Sequence, residues 1–262
     1  MKSKYLIIPF LAILTLCSVS CKDSKTAKQE ESYEKASDDL ERASKELKAA
    51  QKKKFEETGE VDADPERIKR IIEATKEMEK NATGDEAKGA RVMRNFVEAI
   101  QKDTANLTKY QEGLMKAADY SSIKKAQDID TLSVHVKTYL KHNEQLTEKI
   151  KTGWVDSLKK ALIKEGISEK SRNEFMAGFT QSIAPQQPHL LTVRSTDKEI
   201  CNALLKQHAT LKKYFGKWEW DAKQGTPLFQ DQAALDEFNA QAINIQKAST
   251  RQTEAQRSLI NR

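Results

Sequence analysis

The residue whose surroundings most clearly specify a reaction is Cys21. It closes the tetrapeptide Ser18-Val19-Ser20-Cys21, behind a basic start (Lys2, Lys4) and the apolar run Tyr5–Cys17. A short positive segment, an apolar run and small residues before a cut form an export signal, and this run is shorter than the ~20 apolar residues of a spanning helix. The tetrapeptide has the form of a bacterial lipobox, with Ser18 where leucine is usual. In such a box the cysteine is diacylated and becomes the first residue of the mature chain. Cys17 is the poorer alternative because bulky Leu16 precedes it. Two or three acyl chains on Cys21 hold a protein on a bilayer where one would be marginal.

The next residues with chemical potential are aromatic. Trp218 and Trp220 alternate with charged neighbours, and Gly225-Thr226-Pro227 supplies a turn before Leu228 and Phe229. Residues two apart on a strand point to one side. Trp218, Trp220 and Phe229 therefore make a candidate binding surface, for sugar rings or a peptide anchor. The alternative, which the pattern favours, is a hairpin that seals the open end of a helical body.

The remaining reactive types are scattered. His135 and His142 are seven residues apart, whereas a helical metal pair would use i,i+4 spacing, and neither paired cysteines nor a calcium loop appears. His189 and His208 stand alone and read as structural. Once Cys17 leaves with the signal and Cys21 carries lipid, Cys201 is the single thiol, so no intramolecular disulfide can form. Nothing local supplies Cys201 with a base, and a buried structural thiol is expected. No phosphate-cradling glycine loop and no Gly-x-Ser-x-Gly elbow occurs. The sequence thus predicts no catalytic residue, no metal and no cofactor. Lys+Arg 45 against Asp+Glu 39 leaves a formal +6 with the signs interspersed, which gives no basic face for nucleic acid.

Helices must carry these residues. With 9 Gly and 5 Pro in 262 residues the chain lacks the turns of a sheet-rich fold. Residues 22–57 hold ten Lys/Arg and ten Asp/Glu, with Tyr33, Ala36, Leu40, Ala43, Leu47 and Ala50 on one helical seam. That alanine-rich seam fits a charged spacer and a lightly packed helix equally, and little contribution to the core is expected of it. Asp64-Pro65 reads as a helix cap and first position, followed by Ile68, Ile71, Ile72 and Met78. After Asn81–Gly84, one apolar stripe runs from Val92 to Ala117. Another runs from Ile123 to Leu162, with Gly153 expected to bend or split it. Ser171–Glu174 has capping-box spacing ahead of Phe175, Phe179 and Ile183, and Pro185–Pro188 predicts an extended crossing. Thr196–Glu199 repeats the capping box before a helix ending at Gly216. A hairpin over 217–230 and a final helix capped by Asp231 complete the chain.

Residues 214–239 carry the helix end, the aromatic alternation, Gly-Thr-Pro-Leu-Phe229 and Gln230-Asp-Gln-Ala-Ala-Leu-Asp-Glu-Phe-Asn239. This stretch resembles the C-terminal part of the YiaF-type small lipoproteins of enterobacteria, which also begin with a lipobox. The resemblance implies a helical envelope lipoprotein and carries over no catalytic residue.

The reading is therefore an all-α, elongated antiparallel bundle of four to six helices with a small β-hairpin insertion near 217–230. Residues 1–20 are the signal peptide, 21–57 a lipid-anchored charged extension and 58–262 the bundle domain. The expected function is non-enzymatic, as a protein of the bacterial cell envelope held on a lipid bilayer through acylated Cys21, on the outer membrane facing the periplasm. Its expected partner is an envelope protein. The alternative is a lipoprotein that binds a peptide, glycan or small molecule on the aromatic hairpin.

Overall fold

A computed structural model describes residues 27–58 and 65–260. The export signal, Cys21 and the Asp64 cap lie outside the described residues. The elements are α1 (Ala27–Thr58), α2 (Pro65–Asn81), α3 (Gly84–Ala117), α4 (Ala126–Glu148), α5 (Trp154–Lys164), α6 (Glu169–Ile183) and α7 (Gln187–Lys213). They continue with β1 (Trp218–Asp221), β2 (Thr226–Phe229) and α8 (Gln232–Ile260). The protein is all-α with one small antiparallel sheet, as its low glycine and proline content dictates.

The chain divides into two units. One holds residues 105–147 and 190–256, the other the described residues 27–58, 65–104, 148–189 and 257–260.

In the second unit α1 packs against α2. Ala36, Leu40, Ala43, Leu47 and Phe55 are buried, Leu47 completely. Phe55, which the charged flanks hide in the sequence, clusters with Ile260. The expectation that 22–57 adds little to the core is therefore corrected. A seam of alanines lets two helices approach closely, and one leucine per two turns then suffices to fill the interface. Phe96 and Phe179 meet edge to face at 5.4 Å between ring centres.

Three local signals act differently in the structure from what their spacing predicts. Ser168, not Ser171, caps α6, its hydroxyl accepting the Ser171 N–H at 3.4 Å, so the helix begins at Glu169. Pro185–Pro188 makes no extended crossing, because Pro188 occupies the first turn of α7, where no backbone N–H is required. Residues 189–193 are in consequence helical. Thr196 lies in the helix interior, where its hydroxyl donates to the Thr192 and Val193 carbonyls.

The stripe is divided at Gly153, one of the two outcomes expected of it, α4 ending at Glu148 and α5 beginning at Trp154. Lys149–Gly153 forms a π-type turn between α4 and α5, with the Trp154 N–H reaching back to the Lys149 carbonyl. A π-bulge frees carbonyls from the helical ladder. The Gln187 side-chain amide takes two of them, Ile150 O at 2.8 Å and Lys151 O at 3.1 Å.

The first unit surrounds α7. Val193, Arg194, Thr196, Asp197, Ile200, Cys201, Leu204, His208 and Leu211 are all buried, which covers most of that helix's circumference. The last turns of α3 approach the middle of α4 where Gly113 faces His135, and a Cβ on Gly113 would stand 3.0 Å from the imidazole. Gly216, at φ +81°, turns the chain out of α7 into the hairpin. Asp231 begins α8 as expected, accepting the N–H groups of Ala233 and Ala234 at 2.8 and 3.2 Å.

Candidate functional site

The strand register sets the hairpin's two faces. Trp218 pairs with Phe229, and Trp220 with Pro227, so these four side chains share a side. Trp218 is only 9% exposed, and its indole N–H donates to the Leu211 carbonyl at 2.9 Å. Its ring meets Phe215 and Phe229 at 6.3 and 6.5 Å between centres. Phe229 lies 5.5 Å from Phe238 on α8. Trp220 and Phe229 are half-buried and pack on the same core cluster. The aromatic side thus faces inward, and the side turned to solvent carries Glu219 and Leu228. Of the three candidate binding residues, Trp218 has neither a free ring face nor a free N–H to offer a ligand.

The histidines do not converge. His135 is exposed, while His142 stacks on Tyr110 with ring centres 4.0 Å apart and planes 8° from parallel. His189 sits half-buried in the first turn of α7. Among the described residues no group of three His, Cys, Asp or Glu side chains is placed to hold a metal ion. Cys201 is fully buried, and burial together with the negative charges of Asp197 and Glu144 pushes its thiol far above the ordinary range. A thiol so disposed is a core residue, since the reactive species is the thiolate.

What the sequence did not disclose is a buried polar node centred on Asp197, which is 1% exposed. Its carboxylate accepts the Tyr139 hydroxyl from α4 at 2.9 Å and the Gln252 side-chain amide from α8 at 2.5 Å. Arg194, one turn earlier on α7 and 4% exposed, stands 3.2 Å from the same carboxylate. Asn143 on α4 donates to the Arg194 carbonyl at 2.8 Å. Burial holds the Asp197 carboxyl above its ordinary range, against the opposing pull of Arg194, Tyr139 and Gln252. The same burial, with the Asp197 charge, raises the Tyr139 phenol. A charge taken out of water persists only when paired and hydrogen-bonded, so this node fixes the register of α4, α7 and α8. The capping-box spacing of Thr196-Asp197-Lys198-Glu199 predicts a helix start, whereas these residues lie inside α7. The signal against that reading was present: Asp197 falls on the apolar stripe Leu190, Val193, Ile200, Leu204.

A second node lies three turns further along α7. His208, 1% exposed, has Nε2 2.8 Å from the Ala117 carbonyl of α3 and Nδ1 3.0 Å from the Ser133 hydroxyl of α4. Beside it the Tyr120 hydroxyl donates to Gln207 Oε1 at 2.7 Å, and the Tyr120 ring meets His208 edge-on at 5.8 Å. Burial lowers the His208 imidazole below its ordinary value, with a smaller opposing effect of the Ala117 carbonyl.

Between α1 and α2 runs an open groove of about 650 Å³, floored by Ala36, Ala43 and Ala74. Its walls are paired charges: Arg42 with Asp39, and Arg70 with Glu46 at 3.2 Å. Such walls are already neutralised and select no charged ligand.

The first unit is thus a helical body with two buried polar nodes, one on Asp197 and one on His208. In comparisons with known proteins, no family model, no curated protein and no solved structure matches the chain.

Proposed function

We propose that this chain is a lipid-anchored, non-enzymatic protein of the bacterial cell envelope, tethered through acylated Cys21 on the outer membrane facing the periplasm. In this reading it acts by binding another envelope protein through its helical surface. The observation that carries the reading is the succession of Lys2 and Lys4, an apolar run too short to span a bilayer, and Ser18-Val-Ser-Cys21. Among the described residues no helix is long and apolar enough to cross a membrane. Attachment through lipid on Cys21 requires no such helix. The inward face of the aromatic hairpin favours protein binding over the alternative of a stacked ligand.

The test is Cys21→Ser in cells fed a palmitate analogue. Wild type is expected to incorporate the label and to partition with detergent-extracted membranes, and the variant is expected to do neither. Equal labelling of the two would overturn the proposal.

A further inference from the structure

We propose that His208 is a proton switch in the core of the first unit: in mildly acidic medium its Nδ1 takes a proton, the Ser133 hydroxyl changes from donating to that ring to accepting from it, and the unit loses stability. The argument starts from donors and acceptors. A carbonyl can only accept, so the 2.8 Å approach of Nε2 to Ala117 O requires a proton on Nε2. A neutral imidazole then has a bare Nδ1, and the Ser133 hydroxyl at 3.0 Å must donate to it.

The same hydroxyl has a second acceptor at hand, the Ile129 carbonyl one turn earlier on α4, at 2.9 Å. When a hydronium ion of the medium delivers its proton to Nδ1, a new N–H bond forms and water is released. The Ser133 hydroxyl then rotates, donates to Ile129 O and accepts from Nδ1–H. Nε2–H keeps the Ala117 carbonyl throughout. Every hydrogen bond is satisfied in both states, so the charged state is opposed by desolvation alone, not by a lost hydrogen bond.

The surroundings supply little to offset that desolvation. The 3-10 turn at residues 120–122 presents the Tyr120 phenol, whose hydroxyl is committed to Gln207. From α8, Phe238 stands 5.7 Å from the Tyr120 ring. The charged side chains on the nearest turns, Lys116 of α3, Asp130 of α4 and Lys212 of α7, are all exposed, and the last two pair with each other at 2.6 Å. Asp197 lies three turns away on α7, already paired with Arg194.

The sign of the pH dependence follows. A histidine held below its ordinary value of about 6.5 binds protons more weakly folded than unfolded. Its contribution to stability is complete above that value and is lost as the pH falls toward the folded midpoint. Asp197, raised by burial, works in the opposite direction, since a carboxyl with a raised midpoint takes up its proton more readily in the folded state.

The experiment uses the full acylated chain in detergent, labelled with ring-¹⁵N histidine. At about pH 7.5 the ring signal lost in His208→Gln is expected to show the Nε2–H tautomer, and to titrate below ~6.5. The wild-type urea midpoint is expected to fall between about pH 7.5 and 5, and the fall is expected to vanish or reverse in His208→Gln. Should His208→Gln fail to fold, Ser133→Ala identifies the signal instead. Without the acceptor for Nδ1–H that ring is expected to titrate lower still. A neutral ring protonated on Nδ1, a midpoint at or above 6.5, or identical acid dependence in wild type and His208→Gln would each overturn the proposal.

Discussion

Replacing Trp218 by alanine tests the placement of the aromatic hairpin most directly. The residue is 9% exposed, contacts Phe215 and Phe229, and donates its indole N–H to a carbonyl of α7. Truncating a buried aromatic to alanine costs about 3–5 kcal/mol, and the Leu211 carbonyl left without its donor adds about 1–3 kcal/mol where water cannot replace it. Taking about 4 kcal/mol as the working value and a urea slope of about 2–3 kcal/mol/M, the midpoint should fall by about 1–2 M. Trp218→Phe separates the two contributions, since it keeps most of the ring and removes only the donor; about 1–3 kcal/mol is expected. Leu228→Ala, on the opposite face and 49% exposed, serves as the control and should change stability by less than ~0.5 kcal/mol. Urea titrations followed by far-ultraviolet circular dichroism read all three. A Trp218→Ala midpoint within error of wild type would refute the inward placement and return the aromatic face to the pool of ligand surfaces.

Two further perturbations address the interior. Asp197→Ala strands the Arg194 guanidinium in a site 4% exposed and should cost about 3–5 kcal/mol, whereas Arg194→Met with Asp197→Leu should recover most of that loss; a double-mutant cycle in urea measures both, and a single variant as stable as wild type would show that the node carries no structural load. Leu47→Ala, at the fully buried centre of the α1 seam, should cost about 2–5 kcal/mol. Deleting residues 22–57 should broaden or lower the thermal transition because α2 loses the helix packed on it, and an unaltered melting curve would make the segment a spacer after all.

The elements legible in the sequence are those whose signals act locally. Asp231 caps α8 because a carboxylate can reach two free N–H groups from that position, and the alternation around Trp218 defines a strand because period two has no helical equivalent. Where two local signals compete, the spacing alone does not decide. Pro188 disfavours helix for the residue before it, yet it also fits a helix's first turn, and the tertiary position of α7 selected the second. The pattern hides Phe55 because three lysines precede it and two glutamates follow. Those charges stay at the surface while the ring between them turns to Ile260.

The polar nodes escaped for a deeper reason. Asp197 and His208 are eleven residues apart, which is three helical turns, and both fall on the stripe that Leu190, Ile200, Leu204 and Leu211 define. A sequence rule that equates polarity with exposure must either break the stripe at these positions or place them at its edge. The structure does neither, because each group finds its partners on other elements: Tyr139 and Gln252 for Asp197, Ser133 and the Ala117 carbonyl for His208. These partners are 58, 55, 75 and 91 residues away in sequence, a distance at which spacing carries no information about contact. A charged or titratable residue on an otherwise apolar helical stripe is thus itself a signal. It states that a partner exists on a facing element, and the partner's chemistry can be anticipated even when its number cannot: a donor for the carboxylate, an acceptor for the imidazole N–H. By that rule Asp197 demands a donor from a facing helix, and the Tyr139 hydroxyl of α4 and the Gln252 amide of α8 supply it, while Arg194 adds its charge from the preceding turn of α7.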